Sequence, residues 1–347
     1  MQYSVRFPSG EVQYHFGSFE AVITASVNKS STVVITDEHV QAHHRHLFTG
    51  FKDVVVLPAG EAHKNMDTVL SIVERLVANE SHRKSFILGV GGGLVTDIAG
   101  FVAAIYMRGL DFGLVPTTLL GMVDAAIGGK NGVNYGLQKN LIGTIVQPGF
   151  ILSDTALLQT LPAEEWSNGF AEVIKYACLF DAPMFDELEQ QDMDSYRTDN
   201  VALSQLAERC VAWKNKTVLA DEKEGSVRKL LNFGHTAGHA IETLYALPHG
   251  YAVGLGMIIA CLLSEGITGA DETIRIRLTA LLKKYGLPVW QKVDVEDVVN
   301  VLKMDKKRSG TQIDFILLNG IGDAAIQPLS IETIRKALEK YNHAGNS

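Results

Sequence analysis

The sequence predicts an α/β domain with a mostly parallel sheet over 1–160, followed by a mainly α-helical domain over 161–347. In the first part, short β-rich runs at 32–36, 53–57, 85–88 and 112–115 alternate with helical patterns, notably 66–78 and 94–106. Such alternation builds a parallel sheet covered by helices on both faces. From about residue 163 the texture turns to long helical segments with short breaks, at 164–180, 201–220, 227–244, 253–263 and 274–284. The opening runs 2–7 and 11–16, joined by Pro8, Ser9 and Gly10, read as a β-hairpin. One late strand pair, 313–318 and 324–326, interrupts the helices.

Composition narrows the function classes. The chain has 347 residues, 46% hydrophobic and 20% charged, which is ordinary for a globular protein. A net charge of −8 and a pI near 5.8 argue against a nucleic-acid partner. The longest apolar run, 252–263, is too short to span a bilayer, so no membrane partner is expected. Residues 1–6 lack a basic start followed by an apolar signal core, and the expected compartment is the cytoplasm. Cys178, Cys210 and Cys261 are far apart in apolar, helix-like contexts and read as buried free thiols.

The most informative stretch runs from Arg228 to His249. Steps of four, three and four put Arg228, Asn232, His235 and His239 on one stripe of a single helix, opposite Leu230, Leu231, Phe233, Ala237, Ile241 and Leu244. A coincidental surface pair of histidines is the plain alternative. A second helix presents Asn168, Glu172 and Lys175 on one face, with Phe170, Val173, Ile174 and Ala177 turned away. Taken alone, Glu172 and Lys175 read as a surface ion pair of little worth. Together, a carboxylate, several histidines and nearby cations are what an open divalent-metal site requires. The spacing of His235 and His239 is that of a zinc metalloprotease helix, but Thr236 stands where the general-base glutamate would be, so proteolysis is disfavoured.

Residues 85–97 run from a strand through Gly89, Gly91, Gly92 and Gly93 into a helix. Such a turn lets backbone approach a pyrophosphate and aims helix N–H groups at it, although a plain tight turn looks the same. Asp37, after a strand, could hold an adenosine ribose or cap the next helix. Arg108, Lys130, Lys139, Lys175, Lys214, Arg228 and the Asp305–Lys306–Lys307 turn supply cations against an acidic background. They suggest a substrate with more than one anionic group.

The combination G-G-G-x-x-x-D (91–97), Y-M-R-G (106–109), V-P-T-T-L-L (115–120), V-D-x-x-x-G-G-K (123–130), K-N-L-I-G (139–143), N-G-x-A-E-x-I-K (168–175), A-D-E-K-E-G (220–225), N-x-G-H-T-x-G-H-A-I-E (232–242) and H-G-x-A-V (249–253) closely resembles the 3-dehydroquinate synthases. The resemblance covers most of the chain. It implies a dehydroquinate synthase-like fold with a Rossmann-like sheet, and a lyase of the shikimate pathway dependent on NAD and on zinc or cobalt. Such a lyase converts the small-molecule sugar phosphate 3-deoxy-D-arabino-heptulosonate 7-phosphate into 3-dehydroquinate and phosphate. The route is transient oxidation, phosphate elimination, reduction and aldol closure; a homodimer is the expected assembly.

By matching positions, the resemblance implies metal ligands Glu172, His235 and His249. It implies substrate contacts at Arg108, Asp124, Lys130, Asn140, Lys175, Lys214, Arg228, Asn232 and one of Lys306 and Lys307. His239 and Glu224 match acid/base positions, and Lys175 is a further catalytic candidate. NAD contacts fall on Asp37, Glu61, Lys64, Gly92, Gly93, Asp97, Thr117, Thr118, Lys139 and Asn168. The residues alone do not say which of His235 and His239 binds metal; the family pattern selects His235. Related sugar phosphate cyclases and polyol dehydrogenases share this framework, and Arg228 and Asn232 favour the synthase because they match its substrate positions. Two departures stand out: Tyr251 follows His249-Gly250 where many members have glutamate, and Ala125-Ala126 replace small hydroxyl residues.

Overall fold

The computed structural model describes residues 1–136, 138–304, 308–309 and 312–344. The chain divides into two compact units, Met1–Glu165 with Asp199–Lys223, and Trp166–Thr198 with Glu224–Ser347.

In the first unit, β1 (Gln2–Phe7) and β2 (Gly10–Phe16) form the antiparallel hairpin read from the sequence. There follow β3 (Thr32–Asp37), β4 (Asp53–Leu57), β5 (Phe86–Gly91) and β6 (Phe112–Pro116), then a separate hairpin of β7 (Lys130–Tyr135) and β8 (Gln138–Ile145), and β9 (Phe150–Ser153). Seven of these strands make one sheet in the order β1-β2-β9-β6-β5-β3-β4, parallel throughout except for β1. The inner strands are continuous apolar runs because both faces are covered: Val33, Val34, Ile35, Ile87, Leu88 and Val90 are fully buried. The β7–β8 hairpin and β9 escaped the sequence reading. β7 is buried over three successive residues, β8 is largely exposed and β9 is buried throughout, so none of these runs alternates cleanly.

The sheet's connectivity marks its functional edge. Numbered in chain order, the parallel strands from β3 to β9 run 2-1-3-4-5 across the sheet, so the winding reverses between β3 and β5. Ligands of open α/β sheets bind outside the carboxyl ends of the strands at such a reversal. Those ends are Asp37 on β3 and Gly91 on β5.

Helix Asn200–Ala220 lies beyond the sequence boundary at 160 but belongs to the first unit. Asn215 accepts a hydrogen bond from Tyr14 at 2.7 Å, and Lys214 pairs with Asp124 at 3.0 Å.

The second unit is built around helix His249–Ile267, whose side chains are buried almost from end to end. It packs on helices His235–Tyr245, Glu272–Lys284 and Ile331–Ala344 and on an antiparallel sheet of β10 (Arg308–Ser309), β11 (Gln312–Gly320) and β12 (Asp323–Ser330). This helix is longer than the apolar run 252–263 and is long and apolar enough to cross a membrane, yet 78% of its apolar window is buried inside the protein. The late strand pair is present and longer than read, with β12 continuing to Ser330.

One predicted element is corrected. The single helix over 227–244 is two pieces: a 3₁₀ segment, Val227–Asn232, and an α-helix, His235–Tyr245. Gly234 between them is left-handed at φ +77°. A Cβ there would stand 2.5 Å from the Met257 side chain and 2.7 Å from the Val253 carbonyl. The glycine thus both breaks the helix and lets helix His249–Ile267 approach.

Candidate active site

Helix Ala163–Phe180 carries Glu172 and Lys175 one turn apart, and neither is on the surface. Glu172 is wholly buried and Lys175 is 1% exposed. The surface ion pair suggested by sequence is therefore a buried one, Lys175 Nζ against Glu172 Oε2. The other carboxylate oxygen faces two imidazoles: Oε1 lies 3.4 Å from His235 Nε2 and 3.4 Å from His249 Nε2. Neither Glu172 oxygen has a hydrogen-bond partner of normal geometry, a costly state for a buried carboxylate.

These atoms fit a metal ion. Two donors each about 2.05 Å from a zinc-like ion at a tetrahedral angle are roughly 3.3 Å apart. The facing atoms of Glu172, His235 and His249 all lie within 4.8 Å of one another. Behind them, His235 Nδ1 is 3.1 Å from the Phe233 carbonyl and His249 Nδ1 is 3.4 Å from Glu242 Oε2. Each ring therefore turns Nε2 inward. Burial alone would lower His249, but the Glu172 and Glu242 carboxylates outweigh it and push the imidazole up to about 9.

His239 follows His235 by one turn, with ring centroids 5.2 Å apart. Arg228 and Asn232 lie on the separate 3₁₀ segment, so the four-residue stripe on one helix does not exist. Arg228 is 2% exposed. Asn232 donates from Nδ2 to Glu224 Oε1 at 2.9 Å, bringing those two predicted residues together. Asn168 accepts from the Gly250 amide at 3.1 Å, fixing the start of the helix that holds His249.

In the first unit, Gly92 is the N-cap of helix Gly93–Ile105 and supplies no side-chain cap. A helix start without a capping side chain is the kind of terminus that can receive an anion. Gly91 is required by packing, since a Cβ would meet Val95 Cγ2 at 2.5 Å. Thr117 donates its amide to the Gly91 carbonyl at 3.0 Å, and the Thr118 methyl group stands against Gly92. Asp37 caps helix Glu38–His44, accepting from the amides of His39 at 2.9 Å and Val40 at 3.0 Å.

Lys64 bridges Asp97 at 2.5 Å and Asn140 at 2.6 Å. Burial pushes the Asp97 carboxyl up, against the opposing charge of Lys64. Asn134, missed from sequence, joins this group by donating to Glu61 at 2.9 Å and accepting from the Asn140 amide at 2.8 Å. Its signal was an asparagine, a residue depleted in strands, inside a short β-run. Asp124 and Lys214 form their own pair, on the turn Gly121–Ala125 and helix Asn200–Ala220. Arg108, Lys130 and Lys139 are exposed. Lys306 and Lys307 lie outside the described residues.

These features define a protein with a doubly wound α/β unit of the nucleotide-binding type and a helical unit carrying a candidate divalent-metal centre. Residues 54–168 match the family model described as 3-dehydroquinate synthase N-terminal, and 169–308 match 3-dehydroquinate synthase C-terminal. The chain belongs to the 3-dehydroquinate synthase family. It is 38% identical over 342 residues to 3-dehydroquinate synthase of Thermoanaerobacter pseudethanolicus, covering 94% of this chain and 96% of that one. Among solved structures it is similar to 2-deoxy-scyllo-inosose synthase complexed with carbaglucose-6-phosphate, NAD⁺ and Co²⁺, with TM-score 0.86, 25% identity and coverage of 98% and 100%. It is also similar to the 2-epi-5-epi-valiolone synthase ValA of Streptomyces hygroscopicus subsp. jinggangensis 5008 with NAD⁺ and Zn²⁺ bound, with TM-score 0.85, 27% identity and coverage of 99% for both.

Proposed function

We infer that this chain is a 3-dehydroquinate synthase, using NAD and a divalent ion such as zinc or cobalt to turn 3-deoxy-D-arabino-heptulosonate 7-phosphate into 3-dehydroquinate and phosphate. The observation that carries this reading is the Glu172–His235–His249 donor set, built on a wholly buried carboxylate, in a chain of this family. We assign the reaction to a carbon–oxygen lyase of the shikimate pathway, working in the cytoplasm as a homodimer on a small-molecule sugar phosphate.

When bound, NAD supplies a reversible hydride acceptor and the ion a Lewis acid beside a substrate hydroxyl. Glu172 Oε1, His235 Nε2 and His249 Nε2 would hold the ion. The Gly92–Gly93 helix start, Asp37, Glu61, Lys64, Asp97, Thr117, Thr118, Lys139 and Asn168 would hold NAD. Arg228 offers a planar two-point contact to carboxylate or phosphate, and Lys130, Lys175 and Lys214 offer point charges. Asp124, Asn140, Asn232 and Arg108 complete the substrate contacts. His239 and Glu224 would hold or move protons, and the hydrogen bond from Asn232 to Glu224 Oε1 supports that reading for Glu224. One bound intermediate kept in place makes the later steps effectively unimolecular.

The test is product identity. Purified protein with NAD⁺ and metal should convert the heptulosonate phosphate to 3-dehydroquinate, seen by mass and NMR spectroscopy. Turnover of another sugar phosphate in its place would assign the chain to a different cyclase.

A further inference from the structure

The motif that closes on Glu242 contains one residue that the proposed chemistry leaves unused. Glu242 lies on helix His235–Tyr245 and is 7% exposed. Its Oε2 stands 3.4 Å from His249 Nδ1. The two facing nitrogens therefore differ in what stands behind them. His235 is backed by a neutral backbone carbonyl at 3.1 Å, inside the element that carries it. His249 is backed by a carboxylate on the neighbouring helix. His249 is also the less enclosed of the two, its side chain 29% exposed against 11% for His235. A half-open imidazole at the first position of its helix needs an external hold on its ring.

Resting on the metal reading above, we propose that Glu242 is a positioning residue for the third metal donor. Its carboxylate takes the Nδ1–H of His249, fixes the tautomer, and presents Nε2 toward Glu172 as a more basic donor. A buried carboxylate is costly without partners, and His249 Nδ1 is one that the structure gives it. Carboxylates placed behind ligating histidines orient the ring and raise its basicity, and their loss weakens metal binding by about 10–100-fold. His239, Glu242 and His249 also bring donor atoms within 4.8 Å of one another. However, His249 Nε2 is turned to Glu172, which leaves Glu242 behind the ring and not beside the metal donors.

The experiment measures Zn²⁺ affinity and stoichiometry of the full chain by competition with a chromogenic chelator, together with the visible spectrum of the Co²⁺ form. Urea midpoints of the metal-free proteins are measured alongside. Glu242→Gln keeps size and a hydrogen-bond acceptor but loses the charge; Glu242→Asp keeps the charge. The Gln variant should still bind one ion per chain, with affinity down about 10–100-fold. Its Co²⁺ bands should shift while the metal-free urea midpoint holds, and the Asp variant should recover part of the affinity. Unchanged affinity and spectrum in the Gln variant would overturn the proposal, as would loss of stoichiometric metal, which would make Glu242 itself a ligand. A weaker affinity accompanied by an equal drop of the metal-free midpoint would show a structural role and overturn it too. Should Glu242→Gln not fold, the Asp variant decides: near-normal affinity supports positioning, and loss of stoichiometry overturns it. Absence of metal from the unaltered protein would sink the metal reading itself, a result distinct from all of these.

Discussion

Lys175 and Glu172 lie one helical turn apart and form an ion pair buried to 2% and 0% side-chain exposure. In the metal-free protein the ammonium, together with the His249 imidazole that Glu172 helps keep protonated, makes a buried carboxylate tolerable. Removing one member of such a pair costs about 3–5 kcal/mol. Lys175→Met should therefore destabilise the metal-free protein by about that amount in urea unfolding, and added Zn²⁺ should restore much of the loss by supplying charge at Glu172. Equal destabilisation with and without metal would separate Glu172 from the ion.

Gly234 joins the Arg228 segment to the His235 helix at φ +77°, with Met257 and Val253 where a side chain would go. Gly234→Ala combines a left-handed alanine, costing about 1–2 kcal/mol, with overpacking of about 1–3 kcal/mol. The urea midpoint should fall accordingly at unchanged slope, and metal affinity should fall with it because His235 follows directly. A loss near zero would mean the backbone relaxes freely there.

Arg228 is 2% exposed and charged, so only a bound anion or buried partners can justify its place. Arg228→Lys keeps the charge but loses the planar two-point contact. Steady-state kinetics should show kcat/KM reduced roughly 10–100-fold, while NAD⁺ binding by calorimetric titration stays nearly constant. Unaltered kinetics would leave Arg228 a structural charge and favour the other cyclases.

Asp37 caps its helix through Oδ1 at the strand end where the sheet's winding reverses. Asp37→Ser retains a capping oxygen and should change stability little, whereas Asp37→Ala should cost about 0.5–2 kcal/mol. Both should weaken NAD⁺ if the carboxylate holds the ribose. Normal NAD⁺ affinity in both would make the residue a cap and nothing more.

Much of this arrangement was legible in the sequence because it rests on local patterns. The parallel strands are apolar runs, and Glu172 with Lys175, like His235 with His239, sits at a helical spacing that pattern reading detects, whereas His235 and His249 reach Glu172 from two other helices. What escaped depends on long-range geometry. No spacing announces that Gly234 is left-handed, since the cause lies in Met257 and Val253. Whether Glu172 and Lys175 face water or the interior is decided by the helices that cover them, which is why a buried pair read as a surface pair. Glu242 was in view as a motif residue, but its relation to His249 arises only when two helices meet. Family resemblance chose His235 over His239; in the structure, His235 is the one whose Nε2 faces Glu172.

The central claim, a synthase that needs NAD⁺ without consuming it, is tested by following reduced-cofactor absorbance and free phosphate in one cuvette. With the heptulosonate phosphate, metal and a small amount of NAD⁺, many phosphates should be released per cofactor with no lasting NADH. Stoichiometric NADH accumulation without phosphate would make the protein a dehydrogenase and contradict the account.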